Sequence, residues 1–407
     1  MASQAGPPLG TRQAEALIDL GAIAANLRGH LSRTCAPVMA VVSADACGHG
    51  AAQVARTALD HGASWLGVSF AAEAPALRGN GNSAPILALL PTPDEELVSV
   101  LSADVDVSIS STAQLQASAD CAARLGRRAE VHLKADTGLH HDGATAEEWP
   151  ALVAAAAALE RRGDLHVRGI WSQLVHPDEP ENDTSAAQAR LFDAAVRRAE
   201  AAGLTRRLRH LAGSAAVRRV PQLHYDMVRI GSGLYGVGAA AHAETEADKG
   251  LIPAMSLRSR IVATQRVPAG EGVSFGHRYT TTRETTLGLV PLGFADGLPR
   301  SVSGRACLWV DGRRCPIAGR IAMNSTVLDL GTPPEEPFGK VVVFGPGAEG
   351  EPTAADWAAW ARTDELEILT RVSPRLPRSH VPASGTPRPG IPAEPLEIRV
   401  QTAVGPG

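Results

Sequence analysis

Long apolar segments and paired cysteines are both missing from this sequence. No apolar run approaches the roughly 20 residues that a membrane-spanning helix needs, so we expect no membrane partner. The five cysteines are scattered and form no C-x-x-C pair, which argues against a zinc site or a disulfide framework. The net charge of -4 gives no reason to expect nucleic acid as a partner. The first residues contain no apolar signal core, which predicts a cytoplasmic protein.

The chain is long enough for two domains, and its first part predicts a barrel. Its 407 residues exceed what one ordinary core supports. Short apolar runs alternate with Ala-rich helical stretches as far as about residue 240. Strands that are apolar on both faces and followed by helices are typical of a parallel (β/α)₈ barrel, an α/β fold. The eight runs are "APVMAVV", "SWLGVSF", "APILALL", "VDVSI", "AEVHLKA", "HVRGIWSQ", "RRLRHLAG" and "YDMVRIGSGLYG".

After about residue 250 the pattern predicts a smaller, mostly β domain. Apolar strands there are separated by turns, and Asp311-Gly312 indicates a hairpin between "CLWV" and "RRCPIAG". The segment 373–395 contains seven prolines and is predicted to be loop or tail. We therefore expect a barrel over 1–245, a β-rich domain over 246–380 and a Pro-rich tail over 381–407.

Two helical stretches carry clear signals. In "AAQVARTALDHG" the last turn is predicted to close at Gly62. In "AAQARLFDAAVRRAEAAG" the residues Leu191, Ala195 and Ala199 are near helical spacing, which predicts that they share a face.

A parallel barrel places its active site at the carboxyl ends of the strands. Gly213-Ser214 begins a predicted helix, where backbone N–H groups can hold an anion, although taken alone Ser214 is better explained as a simple helix N-cap. The segments that follow the carboxyl ends of the predicted strands are Ser43–Gly50, Lys134–His141, Gln173, Gly213-Ser214 and Gly231-Ser232.

Several of these segments together resemble the alanine racemase family, whose members use pyridoxal phosphate (PLP). The resemblance runs from about Ile18 to Arg378, and it implies a barrel, a β domain and a homodimer. The motifs that carry it are "AVVSADACGHG", "VHLKADTGLHHDG", "HLAGSAAV", "MVRIGSGLYG", "VSFGHRYT", "PLGFADG", "GRIAMNS" and "RLPR".

The resemblance also shows substitutions at functional positions. Ser43 stands where the family has the Lys that forms the Schiff base with PLP, and Phe275 where it has the Tyr supplied by the partner subunit. The phosphate-binding Tyr residues correspond to Cys47 and Pro374. The Arg that contacts the phenolic oxygen of PLP corresponds to His141. A Ser cannot supply the amine, and a Phe cannot transfer a proton.

One more functional position differs, and several others are kept. Gln173 replaces the His that supports the second base in the family. Arg229 matches the family's residue that faces the pyridine nitrogen. Met323 and Phe275 belong to the part of the β domain that completes the partner's site, which implies an isologous dimer. The further matches are Lys134, which is carbamylated in many members, and Asp136, His210, Ser214 and Gly231.

From these substitutions we expect an enzyme without a cofactor, acting on a small metabolite by acid/base catalysis in an isomerisation, cyclisation or elimination. A non-catalytic binding protein and a protein that holds PLP weakly and non-covalently are the alternatives. We expect no metal. The predicted catalytic residues are His141, Cys47, Lys134 and His210, because His and an activated thiol can act near neutral pH. The predicted substrate-binding or anion-binding residues are Ser43, His49, Asp136, Gln173, Ser214, Arg229, Gly231, Ser232, Phe275 and Met323.

Overall fold

A computed structural model describes residues 13–176, 183–238, 250–331 and 339–383. All eight predicted barrel strands are present in one parallel sheet, in the order β8-β7-β6-β5-β4-β3-β2-β9. Backbone hydrogen bonds from Met227 N to Arg209 O (3.3 Å) and from Arg229 N to Ala212 O (3.0 Å) link the two outer strands and close the ring. The predicted α/β barrel is therefore confirmed. Its strands are β2 (Val38–Val41), β3 (Trp65–Val68), β4 (Ile86–Ala88), β5 (Asp106–Ile109), β6 (Ala129–Lys134), β7 (Leu165–Trp171), β8 (Leu208–His210) and β9 (Val228–Ile230).

Helices follow the strands around the outside of the barrel. Gly62, with φ of +114°, follows the end of α3 as predicted. In α8 the predicted face is partly wrong, because Leu191 is exposed while Phe192 and Val196 are buried. The helical segments are α1 (Leu20–Leu31), α2 (Ser43–Gly48), α3 (Ala51–Asp60), α4 (Ala74–Gly79), α5 (Asp94–Ser102), α6 (Thr112–Arg124), α7 (Trp149–Arg162), α8 (Asp183–Ala201) and α9 (Ser214–Arg219).

The C-terminal part is mostly β-structure, as predicted, with a second hydrophobic core of its own. Its largest sheet has the order β16-β15-β18-β10-β1-β19, beside the smaller sheets β11-β14-β17 and β12-β13. Asp311 and Gly312 have φ of +44° and +79° and form the predicted hairpin turn between β15 and β16. The strands are β1 (Ala14–Asp19), β10 (Met255–Arg260), β11 (Ala263–Val267), β12 (Gly272–Val273), β13 (Tyr279–Thr280), β14 (Thr285–Val290), β15 (Cys307–Val310), β16 (Arg313–Pro316), β17 (Thr326–Gly331), β18 (Lys340–Phe344) and β19 (Arg378–Val381), with helices α10 (Ala354–Ala361) and α11 (Glu365–Thr370).

The first and last described strands of the chain lie side by side. β1 pairs with β10 in antiparallel orientation and with β19 in parallel orientation, although residues 14–19 precede the barrel in sequence. The prediction of loop or tail over 373–395 is wrong for residues 378–381, because β1 offers them a backbone partner that local composition does not reveal. The rest of the predicted tail, from residue 384, lies outside the described residues.

Two structural features are absent from the described ranges. None of the helices found there is long and apolar enough to cross a membrane. No group of three or more His, Cys, Asp or Glu side chains in the same part of the chain is arranged to hold a metal ion.

Candidate functional site

The segment after strand β2 has an unusual left-handed backbone. Four successive residues, from Ala44 to Cys47, have φ between +52° and +55°, which non-glycine residues rarely adopt. Glu73 stabilises this turn by accepting a hydrogen bond from Ala44 N (2.6 Å). Asp45 accepts one from Ala51 N (2.7 Å) at its other end. Strained backbone of this kind concentrates at functional sites, and here it begins at Ser43, whose hydroxyl oxygen is buried without a hydrogen-bond partner in the described part of the chain.

Cys47 and His49 lie on this turn, but their surroundings favour their neutral forms. Burial, together with the nearby charge of Glu73, raises the pKa of the Cys47 thiol to about 12. Burial lowers the pKa of His49 to about 4, and its Nδ1 lies 2.9 Å from the carbonyl of Ala46. Its ring lies 4.6 Å from that of Tyr235, centroid to centroid. The environment of Cys47 therefore does not supply the activated thiolate that the sequence predicted.

Lys134 is the amine at the mouth of the barrel. It is the last residue of β6, and its ammonium forms an ion pair with Asp142. The ammonium nitrogen lies 4.4 Å from the ring centroid of Trp171, and the guanidinium carbon of Arg229 lies 4.8 Å from the same centroid. Burial and the charge of Arg229 lower the pKa of Lys134 to about 8, against the opposing effect of Asp136. The amine can therefore gain or lose a proton near neutral pH.

The loop after β6 carries the other titratable groups of this rim. Asp136 binds the Nδ1 of His140 (2.7 Å) and the backbone N–H of Gly138 (2.9 Å). Burial raises the pKa of Asp136, but these hydrogen bonds outweigh it and the pKa is lowered overall. His141 is exposed beside them. Asp136 and the pair of histidines therefore form an outer rim above the more deeply buried Lys134.

A chain of buried polar groups lies beneath the mouth. Arg229 donates to His210 Nδ1 (3.1 Å), His210 Nε2 lies 2.9 Å from His132 Nδ1, and His132 Nε2 lies 3.2 Å from Asp106. Arg168 donates to both carboxylate oxygens of Asp106 (3.1 and 3.0 Å). Because a guanidinium can only donate, each histidine must accept at Nδ1 and donate from Nε2 along this chain.

The same chain fixes the charge state of its members. Burial, then Arg229 and His132, lower the pKa of His210 well below its usual value, so His210 is neutral at physiological pH. Burial lowers the pKa of Arg229 to about 9. His210 therefore orients Arg229 from below the mouth, instead of standing at the rim as a catalytic group.

Ser214, which begins α9, and the residues that follow β9 meet in a cradle of hydrogen bonds. The hydroxyl oxygen of Ser214 accepts hydrogen bonds from the backbone N–H groups of Gly231 (3.0 Å) and Gly233 (3.2 Å). Both lone pairs of this oxygen are then used, which leaves its hydrogen to donate to a ligand. Gln173 accepts from the guanidinium of Arg229 (2.7 Å), and Ser232 begins the next helical turn beside the cradle.

Two predicted residues stand on the C-terminal part of the chain. Phe275 is 67% exposed and Met323 is 57% exposed. Neither is packed into the core of the described protomer.

Four residues that shape this site were not predicted from the sequence: Asp142, Trp171, His132 and Asp106. An acid eight residues after a strand-end Lys is the signal that would have found Asp142. Asp106 and His132 lie in the apolar strands β5 and β6, where a polar residue inside the run is the signal, whereas Trp171 at the end of β7 has no such signal. Gly169 is part of the same arrangement, because a Cβ there would lie 2.3 Å from His132 Nδ1.

Comparisons with known proteins identify the family. The family models described as "Alanine racemase, N-terminal domain" and "Alanine racemase, C-terminal domain" match residues 18–239 and 254–380. A protein of Frankia casuarinae named alanine racemase is 47% identical over 93% of this chain and 99% of its own length. One of Salinispora arenicola with the same name is 45% identical over 90% of this chain and 98% of its own length.

Solved structures that are similar to this chain carry the same name. The alanine racemase from D-cycloserine-producing Streptomyces lavendulae has a TM-score of 0.88 and 41% identity over 93% of this chain and 98% of that one. The alanine racemase from Streptomyces coelicolor A3(2) has a TM-score of 0.87 and 44% identity over 91% and 98%.

These comparisons correct two expectations. The expected loss of racemase chemistry, with an unrelated cofactor-independent reaction in its place, is wrong, because close relatives over nearly the whole chain are named alanine racemase. The expected absence of a cofactor is wrong for the same reason, since members of this family use PLP. Similarity that extends along the whole chain outweighs substitutions at single positions. The chain belongs to the alanine racemase family.

Proposed function

We propose that this chain binds PLP and racemises a small amino acid, with Lys134 as the amine at the barrel mouth. The full-length similarity to proteins named alanine racemase supports the reaction. One observation of the site supports the residue: a buried amine with a pKa of about 8 lies over the same indole ring as Arg229.

The described residues include groups suited to the phosphate and to the ring of PLP. The hydroxyl hydrogen of Ser214, at the start of α9, would contact the phosphate, because the Ser214 oxygen already accepts from Gly231 N and Gly233 N. Arg229 would face the ring. The buried hydroxyl of Ser43, which lacks a partner in the described residues, gives the mouth a further polar group.

The residue that would bind PLP covalently is not at the position that the family resemblance implies. The small number of lysines in the chain limits which residue it can be. Ser43 has no amine. The sequence has only three lysines, Lys134, Lys249 and Lys340. Lys340 begins β18 in the C-terminal sheet, and Lys249 lies outside the described residues. Lys134 is the lysine that a barrel strand delivers to the mouth, so we propose that it holds the cofactor covalently and moves the substrate proton.

The chemistry follows from these positions. PLP, when bound, supplies an electron sink that makes the α-proton of an amino acid removable. Above a pH of about 8 Lys134 is mostly a neutral amine and can accept that proton. Asp142 stabilises the ammonium that results. Arg229 keeps a positive charge beside the amine and favours its return to the neutral form.

The experiment is a borohydride trap. The purified protein is incubated with PLP, reduced and mapped by peptide mass spectrometry, and racemisation of alanine is followed by deuterium exchange at the α-carbon. We expect an adduct on Lys134, its loss in K134M and in K134R, and an unchanged adduct in the control K340M. An adduct of equal yield in K134M, or racemisation unaffected by K134M, would contradict the assignment.

We also propose a homodimer. Phe275 and Met323 expose apolar surface on the C-terminal part of the protomer, and a C₂ interface would bury the same patch on both subunits. Light scattering after size exclusion should give twice the monomer mass at micromolar concentration, and F275E/M323E should give the monomer. A monomeric wild-type protein would refute this proposal.

A further inference from the structure

A buried chain of hydrogen bonds crosses the interior of the barrel. It begins at Arg229 in β9 and passes through His210 to His132. It ends at Asp106, which accepts from His132 Nε2 at 3.2 Å. His210 is the last residue of β8 and Asp106 is the first residue of β5, so the chain runs from the carboxyl ends of the strands toward their amino ends. All four side chains are buried, and all belong to the barrel strands of one protomer.

The chain has one direction, and both of its ends impose that direction. A guanidinium can only donate, so His210 must accept from Arg229 at Nδ1 and carry its proton on Nε2. A carboxylate can only accept, so His132 must donate to Asp106 from Nε2 and accept from His210 at Nδ1. The nitrogen that carries the proton in each ring is therefore determined by the partners on its two sides.

The two imidazole rings are held in place by their packing. The indole of Trp171 lies parallel to the His210 ring, with an interplanar angle of 2° and a centroid distance of 5.7 Å. Trp65 meets the His132 ring edge to face at 5.6 Å. A Cβ at Gly169 would collide with His132 Nδ1, so glycine at this position leaves room for the ring. Because close packing opposes rotation of either ring, the positions of the protons are the variable part of the chain.

Asp106 is the acceptor that makes this direction possible. Without it, the Nε2–H of His132 would be a buried donor without a partner, which is unfavourable. A proton on Nδ1 would avoid that, but His132 would then donate to His210, whose own proton would have to lie on Nδ1. That proton would face the guanidinium of Arg229, and two donors cannot bind each other.

Arg168 orients the carboxylate of Asp106 at the far end of the chain. Its Nη1 donates to both carboxylate oxygens, at 3.1 and 3.0 Å, and its side chain is 34% exposed. The Oδ2 atom of Asp106 contacts both Arg168 (3.0 Å) and His132 (3.2 Å). A single oxygen at that position is therefore enough to accept from both donors.

We infer that Asp106 is a positioning residue for Arg229, on which it acts through the proton positions of His132 and His210. The other acceptors of Arg229 are Gln173 Oε1 and backbone carbonyls, which cannot donate. His210 Nδ1 can become a donor, so this contact is the one that Asp106 controls. The inference rests on the proposed function only for the place of Arg229 at the ring of PLP.

The proton positions can be measured in the protein without PLP. The histidines are labelled with nitrogen-15, and two-bond nitrogen–proton spectra identify the tautomer of each ring. We expect His132 and His210 to be neutral and protonated at Nε2. H132Q assigns the first signal by removing it. Protonation of either ring at Nδ1 in the wild-type protein would overturn the inference.

Two variants separate the acceptor at position 106 from the charge. D106N keeps an oxygen that can take the place of Oδ2, and it should retain the wild-type tautomer of His210. D106L removes the acceptor at similar volume, and the Nδ1-protonated form of His210 should appear. PLP affinity, measured by absorbance titration, should fall about threefold or more in D106L, as expected for one lost hydrogen bond, and less than twofold in D106N. An unchanged His210 tautomer in folded D106L would overturn the inference.

A second pair of variants makes the same comparison one step closer to Arg229, in case D106L does not fold. H132L leaves the Nε2–H of His210 without an acceptor and should shift its proton to Nδ1. The Gln side chain of H132Q can accept and donate in the original direction and should keep the proton on Nε2. The same tautomer in both variants would overturn the inference. A wild-type protein that binds no PLP would refute the proposed function, whereas the tautomers of the unloaded protein would still decide this inference.

Discussion

Lys134 and Asp142 form a partly buried ion pair at the mouth of the barrel. Asp142 also accepts a hydrogen bond (3.4 Å) from the hydroxyl of Ser110, which directly follows strand β5. The carboxylate thus stabilises the ammonium form of a lysine whose pKa is lowered by burial and by Arg229. This balance determines the pH at which the amine becomes neutral.

D142N should shift that pH downward. Removing a carboxylate that pairs with the ammonium destabilises the charged form, so the pKa of Lys134 should fall in D142N. The rate at which acetic anhydride modifies Lys134, measured against pH by mass spectrometry, reports this pKa without depending on activity. D311N, which removes an exposed carboxylate of the hairpin turn, should leave the profile unchanged. A profile that moves to higher pH in D142N would contradict the assigned role of Asp142.

S43K should increase covalent PLP binding and racemisation. The variant places an amine where the resembling family has its Schiff-base lysine, at the start of the left-handed turn. A correctly placed acid/base group contributes typically about 10²–10⁴-fold, so we expect a gain toward the lower end of that range while Phe275 is unchanged. Peptide mapping after borohydride reduction should move the adduct to residue 43. An unchanged rate with the adduct still on Lys134 would show that this position no longer faces the cofactor.

D106A should strongly destabilise the barrel. Asp106 is buried and binds both Arg168, which is partly exposed, and His132, which is buried, so its removal leaves the buried His132 Nε2–H without its acceptor. Breaking a buried pair from one side costs about 3–5 kcal/mol of unfolding free energy. The control D104N removes an exposed carboxylate that lies 3.9 Å from Arg127 and keeps a residue type that tolerates the left-handed backbone there (φ +57°), so it should cost less than about 1 kcal/mol. Urea denaturation measures both, and similar costs for the two variants would refute the buried network.

Acid should destabilise the protein through two buried histidines. Burial lowers the pKa of His30 and of His49 to about 4, whereas both have a value near 6.5 when unfolded. Between these values the unfolded state binds more protons, so stability rises with pH from about 4 to 6.5 and is lost as the pH falls through that window. Each histidine contributes about 3 kcal/mol over the window. Urea unfolding at several pH values should show this slope, and the slope should be reduced in H49Q; an equal slope in the two proteins would contradict the prediction.

The barrel was predictable because its information is local. Each of the eight apolar runs is long enough to mark one buried strand, and the helices between them have their own periodicity. β19 was missed because a strand rich in polar residues is defined by the neighbour it pairs with, in this case β1. The exposed position of Leu191 was missed because helical spacing alone does not say which side of a helix faces the barrel.

The sequence predicts where the residues of the candidate site lie better than it predicts their protonation states and partners. Ser214, Arg229 and Lys134 are positioned by strand ends, and a sequence indicates strand ends well. The protonation state of Cys47 depends on burial and on Glu73, which lies 26 residues away along the chain in another β/α unit, and no motif around Cys47 records that contact. The pairing of Lys134 with Asp142 depends on how one loop folds back over its own strand.

The position of β1 has a consequence for synthesis. This strand leaves the ribosome before the barrel, but its partners β10 and β19 are made only after the barrel sequence has been completed. During that interval β1 is an unpaired strand edge, which is a site for aggregation or for pairing with another nascent chain. A barrel fragment expressed alone would keep this edge, whereas the whole chain covers it with β10 and β19.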